Sequence, residues 1–70
     1  MFEINIDGSD GNAFNLMRLV KQLHDDPDPI IKEMMDGAYK HVLTVFKREL
    51  PDVILTTNDP EYTEVINHES

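Results

Sequence analysis

The chain contains no cysteine, which excludes disulfide staples, thiol nucleophiles and thiolate metal sites together and suits a reducing compartment. Bases are scarce: six Lys and Arg stand against fourteen Asp and Glu, a formal net charge of −8. That balance argues against any partner gripped by a basic surface, whether nucleic acid or anionic lipid. Apolar runs are short, the longest being the three residues Val53-Ile54-Leu55, against the ~20 needed to cross a bilayer. The opening Met1-Phe2-Glu3-Ile4 has neither the basic flank nor the apolar core of a secretory leader, so a cytoplasmic location is expected.

What is present is a chain of 70 residues, 40% hydrophobic and 29% charged, the profile of a single soluble domain over residues 1–70. So short a chain buries only about 60% of its unfolded surface. Homodimerisation, or ordering on a partner, therefore stands beside a well-packed monomer as an expectation.

Phe2-Glu3-Ile4-Asn5-Ile6-Asp7 alternates apolar and polar residues, the period of a half-buried strand with Phe2, Ile4 and Ile6 inward. Turn formers Gly8 to Asn12 stop it. Ala13, Leu16, Met17, Val20 and Leu23 then fall at helical spacing, with Phe14 and Leu19 widening the stripe and Asn12 or Asp10 as N-cap. Asp28-Pro29 reads as the cap and first position of a second helix with Ile30, Ile31, Met34 and Met35 on its buried face. Gly37 would close that helix in the left-handed conformation. Tyr39, Val42, Leu43, Phe46 and Leu50 mark a third helix, ended by Lys47, Arg48 and Pro51. Val53 to Thr57 reads as a second strand, and Asn58-Asp59-Pro60-Glu61 as a turn. Residues 62–66 then form either a third strand, closing a C-terminal β-hairpin, or part of a frayed acidic tail over 58–70. The expected fold is a small α+β domain, β-α-α-α-β with that optional hairpin, its helices packed on one face of a two- or three-stranded sheet.

The loop Asp7-Gly8-Ser9-Asp10-Gly11-Asn12 invites two chemical readings. As a calcium loop it fails: from Asp7, glycine falls fifth instead of sixth, and the twelfth position holds Arg18 where a bidentate glutamate belongs. As a phosphate cradle, Gly8, Ser9, Gly11 and Asn12 would offer N–H groups at a helix start, which makes a small-ligand (nucleotide) binder the alternative function. Asp7 and Asp10 would repel such an anion and no Walker lysine follows. A strand-to-helix turn, with glycines at positive φ and Asn12 capping, explains every residue of the loop.

His24-Asp25-Asp26-Pro27-Asp28 sets an imidazole beside carboxylates, but neighbours in a loop do not converge on a point by themselves. His24, His41 and His68 lack metal-ligand spacing, and Ser9 and Ser70 lack a nucleophile-elbow context. With little room for a water-excluded pocket, the chain is expected to be no enzyme and to need no cofactor or metal. Met17, Met34 and Met35 read as core filling or as an adaptable groove.

Charge placement is more informative than its total. No base follows Arg48, and Glu49, Asp52, Asp59, Glu61, Glu64 and Glu69 lie beyond it. Asp25 to Asp36 adds five acids against Lys32. On one face these would form a negative surface able to steer a basic partner, including one that normally binds nucleic acid; otherwise they simply keep the protein soluble. Asp52, Asp59, Glu61 and Glu64 are the first candidate contacts, and Asp25, Asp26 and Asp28 the second.

Residues Ile6 to Met17 also resemble the opening of a group of small tailed-bacteriophage accessory proteins: a strand, a Gly-x-x-Gly-Asn turn (Gly8 to Asn12) and a helix beginning Ala13-Phe14. Ile30 to Phe46, with Gly37-Ala38-Tyr39 before Leu43-Thr44-Val45-Phe46, is similar to the same group, so the likeness covers about residues 2–50. The resemblance carries over no functional residue. It implies a phage accessory protein made in an infected bacterial cell, of a kind that often binds and modulates host or defence proteins; with the residue reading, the expected function is a non-enzymatic one of that sort.

Overall fold

The computed structural model describes residues 2–67; Met1, the Phe2 side chain and residues 68–70 lie outside that description, and with them the inward placement expected of Phe2 and the acid Glu69. Strand β1 (Phe2–Asn5) leads through a short 3-10 turn (Ser9–Gly11) into helix α1 (Ala13–Leu23). Helices α2 (Pro27–Met34) and α3 (Tyr39–Glu49), strand β2 (Val53–Thr56) and helix α4 (Pro60–Asn67) follow.

The two strands pair in parallel, Phe2 opposite Val53 and Ile4 opposite Leu55. Parallel pairing obliges the intervening chain to return to the start of the sheet, which the three-helix crossover does. Ile6 N–H extends the ladder to the Thr56 carbonyl at 2.9 Å. Ile4, Val53 and Leu55 are buried while Glu3, Asn5 and Ile54 are exposed, so one sheet face meets the helices and the other meets solvent. The α+β fold expected from the patterning is the fold found.

Asn12 caps α1, its Oδ1 accepting Asn15 N–H at 2.8 Å. Phe46, Leu16, Met34, Leu43, Val20 and Val45, all fully buried, form one core cluster with Ile4, Val53 and Leu55 of the sheet. Burying side chains of this size contributes about 1.5–3 kcal/mol each. Tyr39 stands edge-on to Tyr62, ring centroids 5.3 Å apart, and its hydroxyl donates to the Gly11 carbonyl. Half-burial lifts the Tyr39 phenol above its ordinary pKa, keeping the proton on the donor.

Three ties hold the layers together. The Asp7 carboxylate accepts the Thr57 hydroxyl at 2.6 Å and Asn58 N–H at 2.7 Å, fastening the end of β1 to the link after β2. Those bonds, the hydroxyl's first, hold its carboxyl below the usual aspartate value. The Arg48 guanidinium takes both Glu33 oxygens, at 2.6 and 3.0 Å, joining α3 to α2 and lowering the Glu33 pKa. His41 Nε2 lies 2.9 Å from the Glu33 carbonyl, an acceptor only, so that nitrogen carries the proton.

Several expectations are corrected. Residues 62–66 form neither a hairpin strand nor a frayed tail: they belong to α4, because Asp59 Oδ1 accepts Glu61 N–H at 2.9 Å and Pro60 takes the first helical position. Tyr62, Val65 and Ile66 then pack on the core at helical spacing. Helix α2 starts one Asp-Pro pair earlier than expected, with Asp26 before Pro27. No glycine has positive φ. Gly37 is needed because a Cβ there would lie 2.7 Å from the His41 ring, and Gly11 because one would lie 2.2 Å from Ile6 Cα. Phe14, Leu23 and Met35, expected on apolar faces, are exposed; Met34 alone of its pair is core.

Candidate functional site

Where the chain enters β1 and where α1 and α3 end, the surface opens into a concavity of about 740 Å³. Four carboxylates stand around it: Glu3 from β1, Asp25 after α1, Glu49 from the last turn of α3, and Asp52 before β2. Leu23, Leu50, Pro51 and Val53 supply apolar wall, and among the described residues no lysine or arginine lines it.

Local folding explains this gathering. Helix α1 stops as His24 turns to extended backbone, and α3 stops at Leu50 before Pro51. The Leu50 carbonyl accepts Val53 N–H at 3.1 Å, tightening the turn that delivers Asp52. Both helices point their C-terminal carbonyls at this end of the molecule, adding the negative ends of two helix dipoles to the carboxylates.

Among the described lining residues, His24 supplies the imidazole. Its Nδ1 accepts Asp26 N–H at 3.1 Å, which places the ring proton on Nε2, 3.2 Å from Glu49 Oε1. Glu49 Oε2 accepts from Arg48 Nε at 2.8 Å. Arg48, gripped by Glu33 and Glu49, is held above its already high ordinary value and stays a cation facing those two acids. Among the described residues no three His, Asp or Glu converge to hold a metal ion. The acidic residues are distributed along the lining and do not converge on one point.

The acids singled out in the sequence do not share one face. Asp25 and Asp52 meet at the concavity, with Asp26 exposed at the α2 cap position beside them and Asp28 exposed in the first turn of α2. Asp59 lies at the opposite end of β2, where it caps α4. Glu61 there pairs with Lys40 at 3.5 Å, and Glu64 is exposed along α4. Glu3 and Glu49 went unrecognised as site residues because the strand period placed one merely outward and the helix end made the other merely terminal. Only the parallel return of β2 beside β1 brings them together.

The Gly8 to Asn12 loop is closed on itself. Gly8 N–H donates to Asn5, Gly11 N–H to Gly8 and Asn12 N–H to Ser9, each to a carbonyl, so three of the N–H groups a phosphate would need are already engaged. The Ser9 carbonyl also accepts from the Asn12 side chain at 3.0 Å. Among the described residues no helix is long and apolar enough to cross a membrane. No protein-family model, curated protein or solved structure matches the chain.

Proposed function

We propose that this protein is a non-enzymatic binding module that receives a basic segment of a partner protein at the acidic concavity and thereby masks that segment from its other partners. The observation that carries the reading is the meeting of four acidic residues around one open depression with no lysine or arginine among its described lining, Glu49 alone of the four being held by Arg48 from outside that lining. Apolar wall at Leu23, Leu50 and Pro51 suits the aliphatic stems of lysine and arginine, whose heads would face the rim. The depression is open and its described lining presents no hydroxyl or thiol beside His24, which favours binding over catalysis. The likeness of residues 2–50 to small phage accessory proteins supplies the setting: the partner would be a host or defence protein with a basic surface.

The test is binding of a fluorescent lysine- and arginine-rich peptide by anisotropy. Raising salt from about 50 to about 500 mM is expected to weaken binding about tenfold or more, as is the pair Asp25→Lys and Asp52→Lys. Glu61→Lys with Glu64→Lys, away from the concavity, should change affinity less than about twofold. Affinity indifferent to salt and to the first pair would overturn the proposal.

A further inference from the structure

The concavity continues into a strand edge that no other strand among the described residues pairs. On β1 the even-numbered residues face β2: Ile6 N–H reaches Thr56, and the Ile4 carbonyl takes the Thr56 hydroxyl at 3.4 Å. A strand's backbone groups alternate, so Glu3 N–H, Glu3 C=O and Asn5 N–H point the other way. No strand among the described residues lies on that side, because the sheet has the order β1-β2 alone. Glu3 and Asn5 are both exposed. Glu3 therefore belongs to two features at once: it lines the acidic concavity, and its main chain offers a donor and an acceptor along the edge.

Resting on the reading of the concavity as a cation-binding site, we infer that the partner's basic segment binds as an extended strand added to the free edge of β1, with lysine or arginine at alternate positions. Charge decides the occupant. A second copy of this chain would bring another Glu3 and a further net charge of −8 to the same edge, and like charges facing one another across strands are destabilising. A basic strand places a cation opposite Glu3, within the ~5 Å between facing residues of neighbouring strands. A third strand also brings the sheet to the number that generally stands securely. The main chain would contribute affinity and the rim would select for basic side chains.

The experiment uses the full chain, isotope-labelled, and a seven-residue peptide alternating lysine or arginine with valine, prepared with its amides N-methylated at odd or at even positions. Strand addition uses only every second amide of the peptide. One methylated series should therefore lose about tenfold in affinity while the other loses less than about twofold. Hydrogen exchange of the Glu3 and Asn5 amides should slow on adding the unmethylated peptide. Equal loss in both series, or unchanged exchange at Glu3 and Asn5 with salt-sensitive binding retained, overturns strand addition and leaves the acidic concavity standing. No binding by any of these peptides overturns both.

Discussion

At the scale of single residues, Gly8 and Gly11 stand three positions apart in one turn and yet make opposite demands. Gly11 is pressed against Ile6, where an added Cβ has no room, whereas Gly8 has nothing nearer than the Asn5 carbonyl at 3.9 Å. Gly8 also has φ −97° and ψ −175°, extended backbone open to any residue. Gly11→Ala must push main chain aside and is expected to cost about 1–3 kcal/mol or more, as overpacking does. Gly8→Ala should be neutral or add about 0.4–1 kcal/mol by restricting the unfolded chain. Urea midpoints of the two variants decide the matter, and equal midpoints would refute it. The turn was legible from its residue types, but which glycine is indispensable was not, because that depends on Ile6 passing beneath it.

Among the elements, α4 is the most instructive. Asp-Pro occurs at 26–27, 28–29 and 59–60, and each pair can supply an N-cap and a first helical residue. The fold uses the first and third. Tyr62, Val65 and Ile66 carry helical spacing, yet over so few residues the same letters also fit a strand. Packing resolves the ambiguity: α4 lies on α3 and β2, and Lys47 donates to the Ile66 carbonyl, satisfying a group the helix leaves without a partner. Asp59→Ala should therefore cost about 1 kcal/mol of stability through the lost cap, with reduced helical circular dichroism. Because Asp59 sits at the far end of β2 from the concavity, peptide binding should be unaltered in the same variant. A variant of unchanged stability and weakened binding would return Asp59 to the role of a contact. β1 is legible from strict alternation, β2 from a β-branched apolar run, and the first three helices from helical spacing with capping and stop residues; α4 and the meeting of Glu3 with Asp25, Glu49 and Asp52 depend on contacts distant in sequence.

Across the whole molecule, charge and pH pull in two directions. Acid relieves the self-repulsion of a chain carrying −8, but it also removes the carboxylates of Asp7 and Glu33 that tie the layers. Both groups titrate below their ordinary values of 3.8 and 4.5, so the unfolded chain binds more protons than the folded one as the pH falls. Their contribution is complete above those ordinary values and is lost as the pH drops through the lower folded ones. Asp7→Asn is expected to be less stable than the parent at neutral pH, with the gap closing below 3.8. Urea midpoints followed from neutrality into acid measure it, and a gap constant across that range would refute the role given to Asp7. The parallel strands carry a last consequence, for the order of folding. Phe2 meets Val53 across the whole helical crossover, whereas each helix closes on near neighbours. Loop-closure entropy makes distant pairing the slower event. The helices can thus assemble first, and the sheet acts as a clasp that shuts last over Ile4 and Leu55.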